Sequence, residues 1–384
     1  MRITVERDGH VLMIGINRAE KRNAFDVESL DALAAAYEQL GTDGEHVAKP
    51  IAGGTEGVPM KAIVQDTYGG ADVLHLEDID TPTVGHGEVL LSVQAASLFA
   101  GDWHYMAGMP LAFRPASGLT KPRIRVRGRD VAGRVEAVGA DVSTFHKGDA
   151  VYGICNGAFA EFATATVKKL APKPTNLTFE QAATVPITGT TALQAVRDHG
   201  TVQAGQTVLV IGAAGGVGSF AVQIAKAFGG VVTGVCNTAQ MDTVRSIGAD
   251  AVIDYTREDF VESDTRYDVI LDTAGNRKLS VLRRALTPRG TLVIVGGEGG
   301  KGKLLGGFTR GTVGAPLLSM FTSQKMKGFV AKENAGDLVA LRDLIEAGKV
   351  TPLIDRTFSL EEVPEAMTYL LEGRGRKGKI VITV

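Results

Sequence analysis

The chain has 384 residues, with 41 lysines and arginines against 43 aspartates and glutamates, and 44% of its residues are hydrophobic. At roughly 150 residues per domain, this length predicts two or three domains with a sizeable buried core. The net charge of −2 gives no electrostatic reason to expect binding to nucleic acid or to an anionic membrane. No apolar run approaches the roughly 18 residues that span a bilayer, and two cysteines suit a reducing compartment, so we expect a cytoplasmic protein.

The first 47 residues differ from the rest of the chain. The segment ITVERDGHVLMIGI alternates in the manner of a hairpin, and FDVESLDALAAAYEQL has helical spacing. Residues 48–59 are rich in Gly and Pro and show no periodicity, which predicts a linker. We therefore expect an extension of residues 1–47 that is separate from the main body.

In the main body, residues 60–384, the pattern of strand-like and helical segments changes along the chain. Residues 60–186 contain many short strand-like runs separated by Gly, Pro and Asp, which predicts a β-rich domain. Residues 187–322 alternate strands with helices, and this pattern predicts a parallel, doubly wound sheet. The tail, residues 323–384, ends in strands such as KIVITV that could rejoin the β-rich domain. The predicted fold class is therefore α/β.

The most informative motif is a strand, a glycine-rich turn and a helix in VLVIGAAGGVGSFAVQIAKAFG at 208–229. This order directs free backbone N–H groups and the positive end of the helix toward a pyrophosphate, so we expect a dinucleotide site formed by Gly215, Gly216, Val217 and Gly218. Ala213 replaces the first glycine of the usual fingerprint. A tight turn without a nucleotide therefore stays open as the alternative.

The residues at the end of the second strand of this domain determine whether NAD or NADP is preferred. Enzymes that use NAD usually place a carboxylate there for the ribose 2′-hydroxyl, whereas this chain has Asn237 and Thr238 after VVTGVC. Without a carboxylate a 2′-phosphate is not repelled, and both side chains can donate to it. We expect NADPH, and NADH stays open because no Arg or Lys stands at 237–241.

From Met60 to the C-terminus the chain resembles the medium-chain dehydrogenases/reductases, in their zinc-free quinone oxidoreductase branch. The motifs that carry the resemblance are MKAIVQDTYGG, RGRDVAGRVEAVG, VPITGTTALQA, AAGGVG and VTPLIDRTFSLEEVPEAM. It implies a GroES-like catalytic domain (60–186 and 323–384) with an inserted Rossmann domain (187–322), and a coenzyme in the cleft between them. It also implies a homodimer.

The resemblance extends the expected coenzyme site beyond the glycine turn. It places Thr188 and Thr191 beside the nicotinamide, although either could instead cap a helix. Glycines at the carboxyl ends of later strands are further candidates, because open α/β sheets bind ligands at that edge. The additional expected contacts are Tyr255, Gly275, Gly296, Gly297, Phe329 and Lys379.

No zinc is expected. Relatives that use zinc have a cysteine and a histidine where this chain has Phe99 and Arg129, and the seven histidines show no ligand spacing. Cys155 and Cys236 lie in or beside apolar strands without a neighbouring motif, so we expect them to be unreactive core residues.

Without a Lewis acid, the favoured chemistry is hydride transfer to a small apolar quinone or α,β-unsaturated carbonyl, whose conjugation already polarises the accepting carbon. The acceptor pocket is expected in loops at 99–118 and 300–325. Candidate catalytic residues are Tyr105, as a hydrogen-bond donor, and Asp102, which could equally hold the loop; Trp103 and His104 are weaker candidates.

The N-terminal extension resembles the start of an enoyl-CoA hydratase/crotonase domain. It ends before the glycine-rich segments that supply that family's oxyanion hole, so hydratase activity is not expected. Two alternatives to the reductase remain: a non-catalytic NADPH-binding protein with a structural or regulatory role, and a CoA-linked enzyme that acts through this extension.

Overall fold

The structure is a computed structural model that describes residues 2–8, 11–17, 58–111, 114–295, 311, 314–320, 322–374 and 377–384. The chain divides into two compact units, Met1–Glu56 and Gly57–Val384. Within the described ranges, no helix combines the length and the apolar character that crossing a bilayer requires.

The first unit contains the predicted hairpin. Strands β1 (Arg2–Asp8) and β2 (Val11–Asn17) pair antiparallel, with Arg2 opposite Asn17 and Asp8 opposite Val11. The helix predicted after them and residues 48–57 of the predicted linker lie outside the described residues. The crotonase-like character of the extension therefore stays a prediction.

The second unit contains the remaining strands and the helices. The strands are β3 (Pro59–Val64), β4 (His75–Asp80), β5 (Glu88–Leu98), β6 (Asp130–Val138), β7 (Ala150–Ile154), β8 (Phe162–Thr166), β9 (Leu170–Pro172), β10 (Thr207–Ile211), β11 (Val231–Cys236), β12 (Ala251–Asp254), β13 (Tyr267–Asp272), β14 (Leu286–Ile294), β15 (Lys325–Gly328), β16 (Ile354–Ser359) and β17 (Lys379–Thr383).

The α-helices of this unit are α1 (Ala100–Ala107), α2 (Arg114–Ser117), α3 (Phe179–Ala183), α4 (Pro186–Gln194), α5 (Gly216–Ala227), α6 (Met241–Ser246), α7 (Leu279–Arg284), α8 (Ala315–Ser319), α9 (Ala335–Glu346) and α10 (Val363–Leu371). A π-helical turn, Ala195–His199, continues α4, and short 3₁₀ turns occur at Ala71–Val73, Val167–Lys169 and Thr238–Gln240.

The alternating part of the chain forms a six-stranded sheet in the order β12-β11-β10-β13-β14-β15, and every pair in it is parallel. Its central strand is buried on both faces. Val208 and Val210 of β10 pack into one hydrophobic cluster, and the alternate residues Leu209 and Ile211 pack into another. This confirms the predicted parallel sheet, because such strands must be apolar on both sides.

The β-rich part forms a seven-stranded sheet in which β16, β17, β5, β6, β7 and β9 follow one another and β8 pairs with β5. The tail rejoins it as the sequence suggested, because β17 pairs antiparallel with β5 and parallel with β16. Strand β15 belongs to the six-stranded sheet, and the exact domain boundaries, including the one expected at 322, stay predictions.

Candidate functional site

A cleft of about 1120 Å³ lies in the unit Gly57–Val384, along the carboxyl edge of the parallel sheet. Its lining on this side comes from the ends of five strands: Ile211, Cys236, Tyr255, Thr273 and Val295. Open α/β sheets bind ligands at this edge, because the loops after parallel strands diverge there. The facing wall comes from the β-rich part, through α1, the segment 123–129 and the start of β17.

The glycine turn connects β10 to α5. Gly212 has a φ of 82°, a left-handed conformation that favours glycine. A Cβ atom on Gly218 would lie 2.0 Å from the carbonyl oxygen of Gly212, so only glycine allows this helix to approach the strand so closely. The first N–H groups of α5 have no acceptor within the helix, as at any helix start, and this end therefore favours an anion. The backbone at Gly215 also forms an isolated parallel bridge with Gly378.

Gly215 differs from Gly218 in its surroundings. A Cβ atom on Gly215 would lie 3.4 Å from the Gly212 carbonyl oxygen, which is an ordinary contact. Gly215 and the predicted residues Gly216, Val217 and Gly218 all line the cleft. The protein's own packing therefore tolerates a methyl group at Gly215, in contrast to Gly218.

Thr188, Thr191 and Lys379 also line the cleft, beside this turn. A Cβ atom on Gly216 would lie 3.2 Å from the Lys379 side chain and 3.4 Å from the Thr188 methyl group. Neither threonine caps α4: both lie inside it, where Thr188 donates to the Thr184 carbonyl and Thr191 to that of Ile187. The capping alternative was therefore wrong, because the helix already begins at Pro186.

The end of β11 presents Asn237 to the cleft. Its Oδ1 atom is buried and has no hydrogen-bond partner among the described residues, so this amide is available to a ligand. Thr238 is not among the lining residues, and its hydroxyl donates to the buried carboxylate of Asp254. Tyr255 lines the cleft and is 48% exposed, which leaves its ring free to contact a flat group.

Of the other predicted coenzyme contacts, one lines the cleft, one lies beside its lining and two lie outside the described residues. Phe329 lines the cleft and stacks on His199 with ring centroids 4.0 Å apart. Gly275 does not line it, but its N–H donates to Asp272, and its neighbours Ala274 and Asn276 do line it. Gly296 and Gly297 lie outside the described residues.

Much of the segment 99–118, which was expected to be a loop, is helical, and α1 and α2 lie within it. The backbone N–H of Phe99 donates to the Asp102 carboxylate at 2.9 Å, and Gly108, with a φ of 59°, ends the helix in a left-handed conformation. The local sequence did not predict a helix, because Gly101 disfavours one. The Asp102 carboxylate, at the third position of the helix, stabilises it by accepting from a backbone N–H that would otherwise be free. Asp102 is 4% exposed, and burial raises its pKa to about 7.

Tyr105 lies on the same helix, lines the cleft and is 41% exposed. The Arg129 guanidinium donates to its hydroxyl oxygen at 3.3 Å and lies 2.9 Å from Glu333, which also pairs with Lys169 at 2.6 Å. Burial opposes ionisation of Glu333, but Lys169 and Arg129 together hold its pKa below the usual value. The Tyr105 oxygen thus has a fixed donor beside it, and its proton is free to be donated elsewhere.

The sequence analysis missed two arginines of this wall, Arg127 and Arg129, as binding residues. Both line the cleft and are largely buried. The signal was present in RIRVRGR at 123–129, where arginine occupies every second position. Arg129 was considered only as the position where a zinc ligand is replaced.

The described residues contain one group of His, Cys, Asp or Glu whose ligand atoms converge, namely Asp66, His75 and Glu77. Pairing of β3 with β4 brings it together, so spacing of histidines could not reveal it. It lies outside the cleft lining, and Arg125 pairs with both of its carboxylates, at 2.7 Å to Asp66 and 3.0 Å to Glu77. This group is therefore separate from the cleft, and both of its carboxylates are paired with Arg125.

The two cysteines are buried, and neither is in a disulfide. Burial raises the pKa of the Cys155 thiol to about 12 and that of Cys236 to about 11. Neither thiol forms a reactive thiolate at neutral pH, as the sequence suggested.

Family models match both parts of the second unit. Residues 85–175 match the alcohol dehydrogenase GroES-like domain, and residues 247–382 match a model described as zinc-binding dehydrogenase. These matches, with the sheets described above, confirm a GroES-like domain joined to a Rossmann-like domain.

Curated relatives and solved structures align with most of the chain. It is 33% identical over 338 residues to 2-methylene-furan-3-one reductase of Solanum lycopersicum, covering 84% of this chain and 79% of the relative. It is 35% identical over 344 residues to the chloroplastic NADPH-dependent alkenal/one oxidoreductase of Arabidopsis thaliana, with the same coverage. The quinone oxidoreductase from Coxiella burnetii superposes with a TM-score of 0.72 at 29% identity, over 85% of this chain and 99% of that one.

Proposed function

Because this chain belongs to the medium-chain dehydrogenase/reductase family, in its quinone and alkenal oxidoreductase group, we propose that it transfers hydride from NADPH to a quinone or an α,β-unsaturated carbonyl without zinc. The observation that carries the proposal is a single cleft that joins a glycine turn with free helix N–H groups to a wall bearing Tyr105 and Arg129.

The residues of the sheet edge fit a nicotinamide dinucleotide. A Cβ atom on Gly215 would make only an ordinary contact, the first N–H groups of α5 have no acceptor within the helix, and the buried Asn237 Oδ1 has no hydrogen-bond partner among the described residues. When bound, the coenzyme supplies the hydride; the chain's own contribution is to bind it and to orient its reactive ring toward the acceptor.

NADPH rather than NADH is the coenzyme that we propose. The residue at the end of β11 is the neutral Asn237, so the usual carboxylate partner of a free ribose is replaced. The relative in Arabidopsis is named as NADPH-dependent. We expect Thr238 to contribute less to coenzyme binding than its position suggested, because its hydroxyl already donates to Asp254.

Zinc independence rests on the donors that the cleft offers. Its lining includes Cys236, His104, Asp102 and Glu333, but the Glu333 carboxylate already pairs with Arg129 and Lys169, and the Asp102 carboxylate accepts from Phe99. Phe99 and Arg129 occupy the positions at which zinc-dependent relatives have ligands. A bound Zn²⁺ needs three or so convergent ligands, and the described lining does not provide such a group.

The proposed chemistry needs little from the protein beyond alignment and hydrogen bonding. Hydride adds to the β carbon of the enone, the carbonyl oxygen gains negative charge, and a proton then adds to the α carbon. We assign the donor to that oxygen to Tyr105, which lines the cleft and whose own oxygen accepts from Arg129. Asp102 positions Tyr105 by fixing the first turn of α1.

The expected substrate is a small carbonyl compound or quinone, and its apolar character stays a prediction from the sequence. A homodimer and a cytoplasmic location stay predictions from the sequence. The relative in Arabidopsis is a chloroplastic protein, so the location of this chain needs its own measurement.

The proposal is tested by following NADPH and NADH oxidation by chelator-treated protein with a small quinone and a small enone. We expect turnover with both acceptors and a higher kcat/KM with NADPH. Tight coenzyme binding without turnover on a broad acceptor panel would instead support a non-catalytic NADPH-binding protein. Activity that requires added Zn²⁺ would overturn the metal-free mechanism.

A further inference from the structure

Arg127 is a buried cation in the acceptor wall, which is the side of the cleft formed by α1, the segment 123–129 and the start of β17. The residue is 9% exposed, and its Nε atom is fully buried without a hydrogen-bond partner. Throughout the part of the chain that the structure describes, its guanidinium makes no hydrogen bond and no ion pair. Burial lowers the pKa of this guanidinium, although an arginine stays protonated at neutral pH.

Three neighbouring cations of the same region have carboxylate partners. Arg125 pairs with Asp66 and Glu77, Arg129 with Glu333, and Lys379 with Asp130. A buried polar atom without a hydrogen bond costs free energy, and Arg127 Nε is such an atom in the lining of the cleft. This arrangement points to a partner that arrives with a ligand.

The position of Arg127 is fixed by its backbone. Its N–H donates to the Ile63 carbonyl at 3.1 Å, and its own carbonyl accepts from Phe159 at 2.9 Å. The charged or ionisable groups that influence it are Asp102, Tyr68 and Tyr105. Asp102 and Tyr105 line the cleft on the side of α1 rather than at the glycine turn, so the ligand in question is the acceptor and not the pyrophosphate.

The two acidic groups of this wall do not neutralise Arg127. Asp102 forms no ion pair with it, and burial holds the Asp102 pKa near 7, so that carboxyl is partly protonated at neutral pH. Glu333 is already shared by Arg129 and Lys169. The exposed Arg123 lines the same wall and adds positive charge at its rim.

We propose that Arg127 binds a carboxylate of the acceptor, so that the preferred substrates are enones or quinones that carry an acidic side chain. A planar guanidinium matches a carboxylate with two parallel hydrogen bonds. This inference rests on the proposed function, and it leaves the reaction unchanged: NADPH is oxidised, the carbon–carbon double bond is reduced, and the carboxylate only binds.

The test uses two acceptors that differ only in charge. One is a methyl-ketone enone whose β carbon carries a trimethylene chain ending in a carboxylate, and the other is its methyl ester. The chain insulates the double bond from the acid, so both have the same intrinsic reactivity. We expect the wild-type protein to favour the acid in kcat/KM by about ten-fold or more, mainly through KM.

Arg127→Met should abolish this preference, and Arg127→Lys should keep part of it because the charge remains. Arg125→Met is the matched control, since that exposed arginine lies two residues away, outside the cleft lining, and should retain the wild-type ratio. Equal kcat/KM values for acid and ester in the wild type would overturn the inference. An acid-to-ester ratio that Arg127→Met leaves unchanged would do the same.

A binding measurement separates this inference from the proposed function. The saturated keto acid, the product of the reaction, is titrated into the protein by calorimetry beside its methyl ester. If neither enone is turned over but the keto acid still binds through Arg127, the reductase function fails and the anion site stands. If both enones are reduced while neither assay depends on Arg127, the function stands and the anion site fails.

Discussion

The Nζ atom of Lys379 lies 3.0 Å from Oδ2 of Asp130, and the two side chains are 3% and 0% exposed. The pair joins the first residue of β17 to the first residue of β6, although 249 positions separate them in the chain. Asp130 also accepts hydrogen bonds from the Ser97 hydroxyl and the Ile187 backbone N–H. The pair therefore connects the β-rich sheet, α4 and the lining of the cleft.

Loss of Lys379 should destabilise the fold. Lys379→Met leaves the Asp130 charge buried without its cation, and we expect a loss of about 3 kcal/mol in the free energy of unfolding by urea. The double variant Lys379→Met/Asp130→Asn should lose less than the sum of the single variants. The exposed pair Lys226–Asp250 is the control, with an expected coupling of less than about 1 kcal/mol. Additive effects at Lys379 and Asp130 would contradict this account.

The two glycines of the turn should respond differently to alanine. Gly215→Ala has room for its methyl group and should keep its thermal stability, but its Kd for NADPH should rise at least about ten-fold because the methyl group occupies the phosphate approach. Gly218→Ala would place the methyl group 2.0 Å from the Gly212 oxygen and should lower the Tm. Unchanged coenzyme binding by Gly215→Ala in calorimetry would show that the pyrophosphate lies elsewhere.

Asp102 should make stability depend on pH. The folded protein holds the Asp102 proton up to about pH 7, whereas the ordinary carboxyl loses it near 3.8. Between these values the folded state binds more protons, so the residue's contribution to stability is complete below about pH 4 and is lost as pH rises through 7. Relative to Asp102→Asn, the wild type should lose on the order of 4 kcal/mol over that range.

Urea unfolding at a series of pH values checks this expectation. The control is Asp242→Asn, which removes a fully exposed carboxylate and leaves Asp102 in place, so this variant should retain the wild-type loss of stability as pH rises. A stability difference between wild type and Asp102→Asn that grows in favour of the wild type as pH rises would contradict the burial argument.

Tyr105→Phe removes the proposed donor to the acceptor oxygen. Because that oxygen gains charge only as hydride arrives, the loss should fall mainly on kcat, and kcat/KM should decrease by about ten-fold to a hundred-fold. Tyr369→Phe, which removes a hydroxyl bound to Asp355 outside the cleft lining, should be neutral in the same assay. Equal rates for Tyr105→Phe and wild type would assign the donor role to another group.

Much of the fold follows from local patterns. The alternation of strands with helices predicted the parallel sheet, and the glycines of GGVGS predicted the sharp connection from β10 to α5. Both signals lie within about 20 residues of sequence, where spacing alone determines which groups meet.

The rest of the site depends on contacts that spacing cannot reveal. Helix α1 was expected as a loop because its stability depends on the Asp102 carboxylate accepting from Phe99. The partners of Arg129 and Lys379 come from residues more than 200 positions away, so pairing could not be inferred from the chain. The unpaired state of Arg127 becomes visible only once those partners have been assigned.

The most direct test of the central claim is transfer of deuterium from NADPH labelled at its hydride position to a small enone, with metal-stripped protein. Mass spectrometry and NMR of the product should locate one deuterium on the β carbon, because the cleft aligns coenzyme and acceptor without zinc. A product labelled at the carbonyl carbon, or labelling that appears only after Zn²⁺ is restored, would contradict the account.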